Sequence, residues 1–238
     1  MRNEMKSASG GKKIKVTENG PYLVEGNVSI CEEEVVVDEN KDPLKWKKTK
    51  KHPTDETCLL CRCGKSKSAP FCDSTHLKIK FDGKESKNAQ KKYKDLQSTY
   101  VGPKIDLHDA EDLCAGVGFC HRKGGTWDLI ERGTQESKEI AMQQSCDCPS
   151  GRLVTAEKSG KIVEPKFSQE IGVVQEPERG VSGPLWVKGG IPVESVEGKQ
   201  YEKRNRVALC RCGRSNNKPF CDGMHHFAKF DDGTIKKH

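Results

Sequence analysis

The residues with the most chemistry in this chain are cysteines and histidines that fall twice into one spacing. Cys61, Cys63, Cys72 and His76 follow Cys-x-Cys-x8-Cys-x3-His, and Cys210, Cys212, Cys221 and His225 repeat it. Three thiolates and a neutral imidazole fit either one tetrahedral ion or a two-iron cluster with two donors per iron. In extended chain the i and i+2 side chains of Cys-x-Cys lie on one face. Cys72 and His76 share a face if a helix begins there, and Asp73 and Asp222 are placed to cap that turn. Pro70-Phe71 and Pro219-Phe220 stiffen and partly desolvate the loop leading into it.

Both copies resemble the CDGSH iron–sulfur domain of the NEET type, signature Cys-x-Cys-x2-Ser-x3-Pro-Phe-Cys-Asp-Gly-x-His, with Ser66 and Ser215 at the serine. Gly223 keeps the signature glycine, whereas the first copy has Ser74, which weakens the case for the tight turn there. The resemblance implies a 2Fe–2S cluster in each copy. One iron would be held by Cys61 and Cys63 and the other by Cys72 and His76, with Cys210, Cys212, Cys221 and His225 in the same roles. Ser66, Asp73, Ser215 and Asp222 would support the clusters. A single histidine ligand leaves the site less negative than four thiolates and raises its potential. Its second nitrogen ties electron uptake to proton uptake, and protonation of the ligating nitrogen releases metal.

A different arrangement lies between the copies: Cys114-Ala-Gly-Val-Gly-Phe-Cys120, then Cys146-Asp-Cys148-Pro149. It resembles single-cluster ferredoxins of bacterial type, with Val117 where their middle cysteine stands. That loss is similar to the variant that holds 3Fe–4S, implying Cys114, Cys120 and Cys148 as ligands. Cys146 is either a fourth ligand, making the cluster 4Fe–4S, or a neighbouring thiol.

The elements around these residues form a duplicated module. Asn19–Cys31 aligns with Ser182–Glu194, and both copies run on into Phe81-Asp-Gly or Phe230-Asp-Asp-Gly; the first carries extra residues around Lys41–Pro53. Tyr22–Val24, Glu34–Val37 and Leu185–Val187 read as strands. In the middle unit, strands are expected at Lys104–Leu107, Thr126–Ile130 and Arg152–Thr155, and a helix over Gln135–Ser145. Lys84–Ser98 reads as a linker or exposed helix. The expected fold is α+β and β-rich. CDGSH modules at 12–85 and 180–238 would flank a ferredoxin-like domain at 100–165. Since single-motif CDGSH proteins form intertwined homodimers, the resemblance implies a monomer with internal pseudo-twofold symmetry, Tyr22–Val24 and Leu185–Val187 being its shared elements.

Only 33% of the residues are hydrophobic and 32% are charged, so apolar burial alone is a thin basis for three small cores and metal is expected to staple them. No stretch is apolar enough for a membrane helix, and the start, MRNEMKSASGGKKIK, has no apolar signal region. With twelve cysteines and no export signal, ligation in the cytoplasm is expected in preference to disulfides. The net charge is +7, with lysine runs at Lys45–Lys51 and Lys84–Lys94 that read as a solvated, flexible linker face, not a nucleic-acid site. Cys31 and Cys58 read as ordinary thiols, Trp127 and Trp186 as core anchors, and His52, His108, His121 and His238 as surface residues. His226 lies beside the expected ligand His225 without its role. Lys123–Thr126 and Gly189-Gly190 read as turns.

No nucleophile–base set or carboxylate pair indicates an enzyme. The expectation is an electron-transfer or cluster-relay protein serving a redox or cluster-accepting protein. Its rivals are a zinc-binding interaction or nucleic-acid module, and a redox enzyme using the middle cluster.

Overall fold

The computed structural model describes residues 11–235. His238 and the first ten residues of the amino-terminal stretch discussed above lie outside them. Among the described residues thirteen strands form three sheets, accompanied by five α-helices.

The first copy contributes β1 (Lys13–Val16), β2 (Tyr22–Glu25), β3 (Ser29–Val37), β4 (Pro43–His52) and β5 (Thr57–Leu60), then the short helix α1 (Thr75–Lys78). A turn of helix, α2 (Tyr93–Leu96), leads to the middle unit: β6 (Ser98–Val101), β7 (Ile105–Asp109), α3 (Thr126–Arg132), α4 (Gln135–Asp147), β8 (Leu153–Glu157) and β9 (Ile162–Val163). The second copy follows as β10 (Glu170–Glu176), β11 (Val181–Lys188), β12 (Val193–Glu194), β13 (Arg206–Leu209) and α5 (Met224–Phe227). Strand β10 lies between the sequence-derived spans 100–165 and 180–238, so the second module begins before residue 180.

The sheets show how the copies are joined. One has the order β12-β1-β2-β5, the other β13-β11-β10-β3-β4. The first copy therefore gives away the hairpin β3–β4 and the second copy gives away β12: β3 pairs in parallel with β10, Ile30 opposite Ile171, and β12 pairs in parallel with β1, Val193 opposite Ile14. This is a strand-exchanged dimer closed within one chain. The exchanged elements are the β3–β4 hairpin and β12, not the strands at Tyr22–Val24 and Leu185–Val187, which remain inside their own copies' sheets. The reason lies in burial. All eight residues of β11 are buried, as in a strand covered on both faces, and such a strand pairs on both edges within its own sheet.

One apolar core is shared by the copies. Ile14, Tyr22, Ile30 and Leu60 of the first pack with Ile171, Leu185, Leu209 and Phe220 of the second. Tyr22 also donates its hydroxyl to the carbonyls of Cys210 and Pro219, at 2.8 and 3.0 Å, so a first-copy side chain supports the second motif. Tyr22→Phe is expected to destabilise the protein by about 1–3 kcal/mol, through buried carbonyls losing a donor. Urea denaturation measures this, and an unchanged midpoint would contradict the assigned bonds.

The run Lys45–Lys51 is an ordered edge strand, not a flexible linker. Its lysines are exposed, and Lys47 and Lys48 stand opposite Glu34 and Glu33 of β3. Lysines on an open edge discourage further strand addition. Between them, Trp46 turns inward and stacks on Phe119 and Trp186, at ring separations of 4.9 and 4.7 Å. It also donates to the carbonyl of Asp147 at 3.0 Å, binding the hairpin to the middle unit.

In that unit Thr126–Ile130 is helical, not a strand. Thr126, Leu129 and Ile130 are its buried residues, a spacing of three and four that puts them on one helix face, and Gly133 ends it in the left-handed conformation. Its β-branched and aromatic residues favour a strand locally; packing against α4 and β7 overrides that preference. Thr134 caps α4, accepting from Ser137 N–H at 3.0 Å while Ser137 Oγ accepts from Thr134 N–H at 3.0 Å. Among the described residues no helix is long and apolar enough to cross a membrane.

Candidate metal centres

Each repeated motif is a loop held open by backbone bonds. Cys61 N–H donates to Pro70 O and Cys210 N–H to Pro219 O, both at 2.8 Å. Ser66 and Ser215 donate Oγ–H to the carbonyls of Phe71 and Phe220, at 2.6 and 2.7 Å, locking the loop ahead of the third cysteine. Asp73 accepts from Lys67 N–H and Thr75 N–H, and Asp222 from Asn216 N–H and Met224 N–H. The N-cap positions are Ser74 and Gly223, not the aspartates expected there; Asp73 and Asp222, one residue earlier, accept from the first helical N–H and tie it to the loop. Ser74 adopts the left-handed turn at φ 66°, beside 83° for Gly223, so the departure from glycine leaves the turn in place.

Underneath, Arg62 and Arg211 do the same work in the two copies. Arg62 donates to the carbonyls of Gly20, Gly83 and Thr17 at 2.7–2.9 Å. Arg211 donates to Gly183 and Val174 at 2.8 and 2.9 Å and pairs with Asp232. Both are almost fully buried between the ligand cysteines, and the sequence reading passed over them. Their signal was present in the repeated Cys-Arg-Cys.

The donor atoms gather in pairs. Cys61 and Cys63 Sγ are 3.7 Å apart and Cys210 and Cys212 Sγ 3.6 Å. Cys72 Sγ lies 3.3 Å from His76 Nδ1, and Cys221 Sγ 3.4 Å from His225 Nδ1. Two ligands of one tetrahedral ion are about 3.7 Å apart when each bond is about 2.3 Å. Among the described residues, the group of three candidate donors within 4.8 Å of one another is Glu176, His225 and His226. Within each motif the donors lie in two close pairs, thiol with thiol and thiol with imidazole. Its contact with Cys212 and the Ser215 and Gly213 N–H groups hold Cys210 below the ordinary thiol value, against the upward push of burial.

The copies differ in cover. His225 is 1% exposed and Cys221 3%, whereas His76 and Cys72 are half-buried and Ser74, Leu77 and Ile79 are exposed. The cover comes from the segment after β10. Glu176 Oε1 faces His225 Nε2 at 3.3 Å and His226 Nε2 at 3.4 Å. Burial pushes Glu176 up to about 7 and His225 down to about 4. Arg179 bonds Glu176 Oε2 at 2.9 Å and the carbonyl of Gly116, in the middle cysteine loop, at 3.0 Å. Glu176, Arg179 and His226 were not foreseen as site residues, because nothing in their spacing links residue 176 to 225.

Cys114, Cys120 and Cys148 line one small cavity with the backbone from Ala115 to Gly118, Pro149 and Arg152. Burial, then Cys148 and Cys114, push Cys120 up to about 12. Three cysteine thiols lining one small cavity are a donor set that fits a metal cluster. Val117 is buried in the loop at the position of the absent cysteine. Cys146 does not face this cavity. It lines another one with Trp46, Phe167 and Trp186.

His52, expected at the surface, is 4% exposed and lies 3.2 Å from Glu32. His121 is exposed and His108 half-buried. Cys31 is half-buried, and burial raises Cys58 to about 11.

Residues 19–77 and 182–226 match the family model described as iron-binding zinc finger CDGSH type, and residues 100–158 match the one described as divergent 4Fe-4S mono-cluster. The chain is an iron–sulfur protein. In particular, two CDGSH-type regions flank one divergent mono-cluster region. No curated protein and no solved structure matched it.

Proposed function

We propose that the chain is an electron carrier or cluster relay with two 2Fe–2S centres and a 3Fe–4S centre in the middle unit, serving a redox or cluster-accepting protein. The observation that carries the reading is the pairing of donors, two thiols in one pair and a thiol with an imidazole in the other, repeated in both copies. Iron–sulfur clusters supply the redox chemistry, while the chain sets potential, solvent access and docking. The three-cysteine pocket with Val117 inside it favours 3Fe–4S over 4Fe–4S. All twelve cysteines are free, which suits a reducing compartment such as the cytoplasm.

The test is iron and sulfide analysis with EPR on anaerobically purified protein. Two 2Fe–2S centres with a 3Fe–4S centre amount to about seven irons per chain, and with 4Fe–4S to about eight. Oxidised 3Fe–4S has half-integer spin and gives an EPR signal, whereas oxidised ferredoxin-type 4Fe–4S is silent. A fully loaded, oxidised, EPR-silent sample would remove 3Fe–4S, about four irons would remove the middle centre, and a colourless zinc protein would remove the whole reading.

A further inference from the structure

The three sites are joined ligand to ligand, in one order. The first joint lies between the two CDGSH motifs, where Cys63 and Cys212, a ligand position of each copy, form an isolated antiparallel bridge. The glycines that follow them allow the approach. A β-carbon on Gly64 would lie 2.5 Å from the carbonyl oxygen of Cys212, and one on Gly213 2.7 Å from that of Cys63. The second joint lies between the second motif and the middle unit. Gly223 N–H donates to Cys221 Sγ at 3.5 Å, and a β-carbon on Gly223 would lie 3.5 Å from the carbonyl oxygen of Cys114. Cys221 packs in one apolar cluster with Ala115, Val117 and Phe119 of the middle loop. Asn217 donates to the carbonyl of Asp112 at 3.2 Å, and His226 abuts Gly116.

The first motif has no counterpart to this second joint. Where the second copy has Gly223 against Cys114, the first has the exposed Ser74, and where it has His226 against Gly116, the first has the exposed Leu77. Sequence symmetry between the copies is thus broken by the middle unit, which docks on one motif alone.

We propose that the three centres form a linear electron relay, first CDGSH site to second CDGSH site to middle site, with the second as the obligatory intermediate and the exposed first site as the end that meets a partner. The proposal rests on the cluster reading above. Each transfer moves one electron: a reduced centre loses it and its neighbour gains it. A one-electron redox protein outside the chain supplies or takes it at the first site, with no bond made or broken.

The test uses the full, cluster-loaded chain, reduced stepwise with dithionite, and reads the EPR relaxation of the middle centre. Cys72→Ala removes the first centre and Cys221→Ala the second, and iron analysis of each variant checks the loss. In Cys72→Ala, reduction of the remaining 2Fe–2S centre is expected to speed the middle centre's relaxation several-fold, as in the unaltered chain. In Cys221→Ala the enhancement is expected to be lost. An enhancement retained in Cys221→Ala, or absent from Cys72→Ala, would overturn the order. Should Cys221→Ala fail to fold, the Cys72→Ala result alone still decides the second joint. A chain with about four irons, and so without a middle centre, would overturn the relay together with the middle-centre part of the cluster reading; a correct iron count with the wrong coupling overturns only the relay.

Discussion

On acidification the first CDGSH centre is expected to be lost at a higher pH than the second, so that the visible absorbance of a loaded sample falls in two steps. Ligation needs a neutral imidazole, and a proton competes for the same nitrogen. His225 is 1% exposed, and burial pushes it down to about 4. The closed second site therefore binds no proton at His225 between its ordinary value near 6.5 and about 4, whereas an opened site does. By itself this stabilises the closed site fully above about 6.5 and less as pH falls. Glu176 acts with the opposite sign. Burial raises it to about 7, so the closed site holds a proton there that an opened site binds only near 4.5. Its contribution grows as pH falls from about 7, and the two offset one another across the mildly acidic range. Among the described residues no carboxylate is paired with His76, which is half-buried. Absorbance and iron release, followed from about pH 8 to about pH 4, measure the steps. His76→Cys should abolish the first step and lower that centre's potential, since a thiolate adds negative charge. A single step, or earlier loss of the second centre, would contradict this account.

Replacing Arg211 with methionine is expected to cost about 3–5 kcal/mol, the usual range for breaking one side of a buried ion pair. The guanidinium satisfies the carbonyls of Gly183 and Val174 and pairs with Asp232, whose side chain is 3% exposed. Burial alone would push Asp232 up, but Arg211 and Thr234 hold it below the ordinary carboxylate range. Because that value is depressed, the pair's contribution is present above about pH 4 and is lost as pH falls further. The Arg211→Met penalty should accordingly shrink in acid, and Asp232→Asn added to Arg211→Met should recover part of it at neutral pH. Urea melts at the two pH values provide the measurement. A loss below about 1 kcal/mol at neutral pH would mean the pair is effectively screened.

The candidate ligands were legible in the sequence because their spacing is local. Cys-x-Cys, Pro-Phe-Cys-Asp and the histidine four residues on are set by one loop, and that loop closes through bonds of short range such as Ser66 Oγ to Phe71 O. The duplication was equally legible, since it is a property of the string of residues. Local preference misled at Thr126–Ile130, where β-branched and aromatic residues suggest a strand and burial of one helical face wins. It also could not show which strands are exchanged, because β3 and β12 differ from other β-rich runs only in their partners, β10 and β1. Two nearly identical motifs read as equal sites. Tertiary packing makes them unequal, by laying Glu176, Arg179 and the Cys114–Cys120 loop over His225 while leaving His76 half-exposed. Sequence determined which atoms can bind metal. The fold decided which of those atoms touch the next site and which meet water, because both depend on contacts between residues dozens to more than a hundred positions apart, which no spacing rule contains.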